Sequence, residues 1–150
     1  ENQLAIDMDM PLRVIGYDGS SYRDEMNQDE IVIDERTGKK HKIRYERYPV
    51  VTIVLYFGKV PWKKPLRLYD VLKISDELKP FVNDYKINLI DVPRLTGEQV
   101  EKFTSDFQII ADYFVQLSKN KDYVPKDKII RHTDSFLKLM SVLTQDNKYV

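Results

Sequence analysis

The chain has 150 residues, 42% hydrophobic and 32% charged, a length that buries roughly 70% of its unfolded surface in one domain and a composition that excludes disordered and fibrous classes. Its 24 basic and 24 acidic side chains cancel to a formal net charge of zero, which excludes a global field drawing the molecule onto nucleic acid, so any polyanion site must be a local patch. Cysteine is absent and histidine occurs twice; disulfides and thiolate metal sites are excluded, zinc is a poor match, and oxygen ligands for Mg²⁺, Mn²⁺ or Ca²⁺ are what remains for metal chemistry.

Glu1 opens the chain and the next Met is Met8, inside the pattern, so the expectation is a piece of a longer protein. Glu1 to Ile6, with Leu4 and Ile6 on one parity, predicts a short strand, after which Asp7 and Asp9 offer N-cap acids before Pro11 in a first helical turn. The helix would carry Met10, Val14, Tyr17 and Ser21 on one stripe. Gly16 and Gly19 each cost about 1 kcal/mol there and share a face open to close backbone approach; Asp18-Gly19 also suits a turn.

Residues Gln28 to Arg47 predict a hairpin whose arms EIVID and KIRYE flank a turn near Arg36-Thr37-Gly38. It looks basic, yet cations exceed anions by only one from Asp29 to Arg47, which points to cross-strand ion pairing. Tyr48 to Phe57, YPVVTIVLYF, predicts a central strand covered on both faces. Gly58 ends it, and the loop KVPWKKPLR follows with two prolines. A helical turn near Leu66 to Leu72 and a strand over Tyr85 to Val92 come next, closed by Pro93.

Thr96 with Gln99 forms a capping-box pattern, and Leu95 with Val100 a hydrophobic staple, so a helix starts there. Val100, Phe103, Phe107, Ile110, Phe114 and Leu117 step by 3, 4, 3, 4, 3, the seam of a helix packed along another. A second helix over Thr133 to Leu143 presents Phe136, Met140 and Leu143. An intramolecular helical pair and a homodimer seam both fit this spacing. The organisation expected is an α/β core over 1–94, with the hairpin as an excursion at 28–47, and a C-terminal helical pair over 95–150. No apolar run approaches the ~20 residues of a bilayer span.

Glu1-Asn2-Gln3 is a carboxylate-x-amide element whose first and third residues face one side of a strand. Met10, Arg13 and Tyr17 form an M-x-x-R-x-x-x-Y helix, and YPVVTIVLYFG runs into Pro61-Trp62. With these elements the sequence resembles the recombination-promoting nuclease and transposase family of the PD-(D/E)xK nuclease superfamily. The stretches PLRVIGYDGSSYR, FVNDYKINLIDV and LMSVLT extend the resemblance over most of Glu1 to Leu143.

The resemblance implies a restriction-endonuclease-like α/β core lacking its N-terminal part, with a Mg²⁺ or Mn²⁺ site for phosphodiester hydrolysis. Glu1 would be a metal ligand, with a metal-binding Asp upstream of it. Gln3 stands where the superfamily more commonly has Lys; an amide takes no proton, so it would position water or phosphate. Arg13 and Tyr17 share a helix face and would bind phosphate or brace Glu1, against the plainer alternatives of an Arg13 ion pair with Asp7 or Asp9 and core packing for Tyr17. Lys59, Lys63, Lys64 and Arg67, with Trp62 among them, suit contact with a DNA backbone; the alternative is a solvated loop with Trp62 on the core. His41 and His132 are expected at the surface or a helix start, and Asp70, Asp84 and Asp91 lie near strand or turn ends where a metal ligand is conceivable.

The function implied is a fragment of a metal-dependent DNA endonuclease of recombination or transposition, cytoplasmic, with DNA as partner, no membrane association, and a homodimer as an option. The fragment is expected to be inactive alone, holding metal only with the upstream Asp. The alternatives are a non-catalytic DNA- or protein-binding module of the same fold and a dimerisation unit.

Overall fold

A computed structural model describes residues 1–119, 122–146 and 148. The described chain is mixed α/β, in the order β1 (Asn2–Gln3), α1 (Met10–Asn27), β2 (Glu30–Ile33), β3 (Lys40–Ile43), β4 (Ile53–Tyr56), β5 (Asn88–Asp91), α2 (Gly97–Glu101), α3 (Phe107–Ser118) and α4 (Thr133–Thr144). It sorts into two units that interleave in sequence. One holds Glu1–Asp7, Val54–Lys64 and the described residues from Leu89 onward; the other holds Met8–Ile53 and Pro65–Asn88.

In the first unit β1 pairs parallel with β4, Asn2 opposite Leu55 and Gln3 opposite Tyr56, in a sheet ordered β1-β4-β5. The apolar run at 48–57 thus supplies the central strand, but only four residues of it are strand. Val54 and Tyr56 are buried while Tyr48, Val51 and Ile53 are exposed. β-forming side chains do not extend a ladder beyond the backbone that pairs with it, and β1 is two residues long.

After β5 a 3₁₀ turn at Val92–Arg94 is closed by Pro93. The capping box forms as the sequence predicts: Gln99 N donates to Thr96 Oγ1 at 3.2 Å and Thr96 N to Gln99 Oε1 at 2.9 Å. The helix expected to run on to Leu117 is instead two helices, α2 and α3. At the break, Ser105 Oγ accepts Phe107 N at 3.4 Å and the Ser105 carbonyl accepts Gln108 N at 2.9 Å. Ser, Thr and Asp side chains compete with helical bonds in this way, and the Thr104-Ser105-Asp106 run restarts the helix.

The apolar seam survives the break. Val100, Ile110 and Phe114 join Phe57, Val92, Ala111, Val115, Met140 and Leu143 in one core, with Phe103, Phe107 and Phe136 packed against it, each full burial contributing about 1.5–3 kcal/mol. Leu117 departs from the pattern at 48% exposure. The other seam positions are therefore used within the chain. Asp106 ties the start of α3 to that of α4, accepting Arg131 N at 3.1 Å, His132 N at 2.7 Å and the His132 ring at 3.1 Å. The two backbone bonds hold its carboxyl below the usual range. His132 sits at a helix start, as expected.

In the second unit α1 runs unbroken through both glycines. Asp9 occupies the N-cap position through its carbonyl, which accepts Arg13 N at 3.1 Å, and its side chain makes no cap bond. A Cβ at Gly16 or Gly19 would meet nothing within 4 Å, so the expected close approach is not made. The buried stripe is Met10, Val14 and Asp18 rather than Met10, Val14, Tyr17 and Ser21. Asp18 is sustained there by hydroxyl hydrogen bonds from Thr52 and Tyr85, which meet the requirement that a buried polar group be hydrogen-bonded.

The hairpin forms where predicted, antiparallel with Ile31 opposite Lys42 and Ile33 opposite Lys40. Asp34 Oδ1 accepts Arg36 N at 2.9 Å and Thr37 N at 2.8 Å in the turn, and Gly38 takes φ +65°, the left-handed region where glycine carries no Cβ penalty. At the base Asp29 meets Arg47 at 2.6 Å and Lys42 at 3.2 Å. The Arg47 hydrogen bond, aided by Lys42 and the Tyr45 amide, draws its carboxyl from 3.8 down to about 2.

Two predictions follow from this geometry. A Cβ at Gly58 would overlap the Tyr56 ring, so Gly58→Ala is expected to destabilise by about 1–3 kcal/mol, whereas Gly16→Ala, in open space, is expected to stabilise by about 0.5–1 kcal/mol; urea unfolding of the two variants reads both signs. Because Asp29 titrates lower folded than unfolded, its contribution is complete above the ordinary carboxylate pKa of 3.8 and disappears as pH falls through about 2. Protection of the Tyr45 amide, which donates to Asp29, measured against its unstructured exchange rate at each pH, is expected to fall across that window, and Asp29→Asn to remove the dependence.

Candidate functional site

Glu1 and Gln3 flank Asn2 in β1, and alternate residues of a strand project to one side. Gln3 Nε2 donates to Glu1 Oε1 at 2.6 Å. Both are anchored by the parallel ladder, Leu55 N donating to the Glu1 carbonyl and Phe57 N to the Gln3 carbonyl, each at 2.8 Å. Glu1 is exposed and Gln3 half-buried. Since Gln3 is in register with Tyr56, the chain leaves β4 for the cationic loop at the same end of the sheet where β1 ends. Carboxyl ends of parallel strands are where open α/β sheets place their ligands.

The loop is held from within. Arg94 donates through Nη1 to the Gly58 carbonyl and through Nη2 to the Lys59 carbonyl, and pairs with Asp91 Oδ1 at 3.0 Å. The other oxygen of Asp91 accepts Trp62 N at 3.1 Å. Tyr56 Oη donates to the Val60 carbonyl at 2.7 Å, and Trp62 is buried edge-on to Tyr56 at 5.1 Å. Trp62 therefore lies on the core, as the plainer reading of the loop supposes, while Lys59, Lys63 and Lys64 are exposed.

In the second unit Arg67 pairs with Asp84 at 3.0 Å. Asp84 also accepts Tyr69 N at 3.0 Å, and Asp70 accepts Leu66 N at 2.8 Å and Arg67 N at 3.2 Å. Asp70, Asp84 and Asp91 are thus engaged in holding backbone. Arg13 donates to Tyr17 Oη at 2.8 Å through Nη2 and 3.2 Å through Nε. Tyr17 is 40% exposed, which corrects the core-packing alternative for it and leaves an outward guanidinium–phenol pair on one face of α1.

Whether a divalent cation fits can be judged from the donors. Among the described residues no group of three or more His, Asp or Glu side chains could hold a metal ion, and Mg²⁺ requires a near-octahedral oxygen shell. Glu1 offers a single carboxylate with an amide beside it. These residues do not by themselves constitute a metal site.

A cavity of about 460 Å³ in the second unit is lined by Glu25, Gln28, Tyr45, Glu46 and Tyr48. Glu25 Oε2 is buried there without a hydrogen-bond partner, and two carboxylates make it unsuited to phosphate. Sequence reasoning missed Arg94 and the role of Asp91. Their signal was the D-x-x-R spacing across Pro93, which a 3₁₀ turn brings onto one side.

The sequence profile of the family described as "Putative transposase, YhgA-like" matches residues 1–148. No curated protein and no solved structure matches the chain. No helix among the described residues is long and apolar enough to cross a membrane.

Tyr17→Phe removes one acceptor of the Arg13 guanidinium at an exposed position, so it is expected to change stability by less than about 0.5 kcal/mol. Thermal unfolding checks this, and makes the variant a clean probe of any functional loss.

Proposed function

The chain belongs to the YhgA-like putative transposase family, whose work is transposition-related and involves DNA, and we propose that this chain is the part of a DNA endonuclease that presents a catalytic strand and holds the phosphate backbone. The observation that carries the reading is the Glu1–Gln3 pair in a parallel ladder whose neighbouring strand leads directly into the cationic loop. A carboxylate beside exposed cations is what phosphodiester chemistry uses, with cations meeting the polyanion and the carboxylate meeting an attacking water or a metal.

Glu1 would be one ligand of a Mg²⁺ or Mn²⁺ site completed by a further carboxylate. Gln3 would orient water or phosphate by hydrogen bonding. Arg13 would bind phosphate, its guanidinium oriented by Tyr17. Lys59, Lys63 and Lys64 would contact the backbone; Arg67, already met by Asp84, would contribute less. A second reading, a non-catalytic DNA-binding module, is favoured by the lack of a metal-ligating cluster among the described residues.

The test has two parts. The pure 150-residue chain is expected not to nick plasmid DNA with Mg²⁺ or Mn²⁺, and the Lys63→Gln/Lys64→Gln pair to lower the salt slope of DNA binding by up to about 0.9 per lysine, with a smaller change for Arg67→Gln. In the full-length protein Glu1→Ala is expected to abolish cleavage, and Gln3→Ala to slow it roughly 5- to 150-fold, the equivalent of about 1–3 kcal/mol. Cleavage by Glu1→Ala at the parent rate would transfer the chain to the binding-module reading.

A further inference from the structure

Four backbone groups between Gly58 and Trp62 are each tied down by a side chain from the framework of the same unit. The Gly58 and Lys59 carbonyls are bridged by the Arg94 guanidinium, the Val60 carbonyl is held by Tyr56 Oη, and the Trp62 amide is held by Asp91, which also pairs with Arg94. Gly58 passes so close to the Tyr56 ring that no side chain fits. The bonds fall on main-chain atoms, and the side chains of Lys59, Lys63 and Lys64 stay exposed. A loop of this length with two prolines and three lysines would otherwise sample many shapes, with like charges spreading apart.

We propose that Arg94 and Asp91 are positioning residues for DNA binding: their ion pair locks the 58–62 backbone in one shape before DNA arrives, so that the lysines meet phosphates as a pre-arranged set. The proposal rests on the phosphate-contact reading of the loop. Both terminal nitrogens of Arg94 already donate to chain atoms, so it acts through the loop and not on the phosphate. A fork of two N–H donors is what spans adjacent carbonyls, and lysine has the charge without the fork. Pre-forming a binding loop raises affinity by removing the ordering cost at association, without adding a contact.

The experiment measures duplex-DNA affinity of the full-length protein as a function of salt for Arg94→Gln, Arg94→Lys, Asp91→Asn and Lys63→Gln/Lys64→Gln, together with amide exchange at Trp62 in the free proteins. Arg94→Gln is expected to weaken binding about 3- to 10-fold with an unchanged salt slope, to speed Trp62 exchange, and not to be rescued by Arg94→Lys. Asp91→Asn, which keeps an oxygen for Trp62 N, is expected to give a smaller loss of the same kind, and serves as the test if Arg94→Gln fails to fold. A slope reduced by about 0.9 in Arg94→Gln would make Arg94 a phosphate contact and overturn the proposal. Unchanged affinity, or full rescue by Arg94→Lys, would overturn it also. If instead the double lysine variant leaves affinity and slope untouched, the phosphate-contact reading itself fails and this proposal with it; accelerated Trp62 exchange in Arg94→Gln would then show that the clamp is real but serves stability alone.

Discussion

Burial of one phenol ring is the constraint from which the candidate site follows. Tyr56 ends β4 with its ring fully inside, and burial pushes its pKa up, so at working pH it remains a donor. That O–H goes to the Val60 carbonyl, its ring packs in a T-shaped pair with Trp62, and the same ring leaves room for nothing larger than glycine at position 58. The same residue is the register partner of Gln3. One residue, through its backbone register and its side chain, thereby couples the position of the E-x-Q strand to the course of the cationic loop.

The helical region supports that arrangement through Phe57, the next residue. Phe57 lies 5.1 Å from Phe114 and 6.3 Å from Phe107, whose ring is in turn 4.9 Å from Phe103. Aromatic pairs in such tilted and edge-on geometries add about 0.5–1.5 kcal/mol each beyond their buried area. Phe103 and Phe107 stay in contact across the break between α2 and α3, and Asp106, at the start of α3, reaches the backbone that begins α4. The helices are in this sense the scaffold on which the exit from β4 rests.

Zero net charge conceals an uneven distribution. In the hairpin, acid and base cancel locally: Asp29 takes Lys42 and Arg47, and Asp34 is occupied by the turn amides that keep its carboxyl low. In the loop after β4 Asp91 is spent on Arg94 and the Trp62 amide, and the side chains of Lys59, Lys63 and Lys64 are exposed. A polyanion would sense such a patch at short range, within a Debye length of ~8–10 Å, although the whole molecule carries no net field.

What the amino-acid order determined by itself is what short-range bonding decides. The Thr96–Gln99 box, the glycine of the hairpin turn, the stop at Gly58 and the Arg13–Tyr17 pair all join residues no more than a few positions apart, so residue type and spacing sufficed to read them. The Glu1–Gln3 pair was legible for the same reason, by strand alternation. Tertiary structure alone decided the length of β4, which depends on how much partner strand is available, and the burial of Asp18, whose hydroxyl donors lie 34 and 67 residues away. It also decided the Arg94 clamp, 36 residues from the Gly58 carbonyl it holds. An isolated strand-former, acid or arginine reads the same with or without such a distant partner; only when folding removes water from the group does the partner settle whether it ends up paired, buried or exposed.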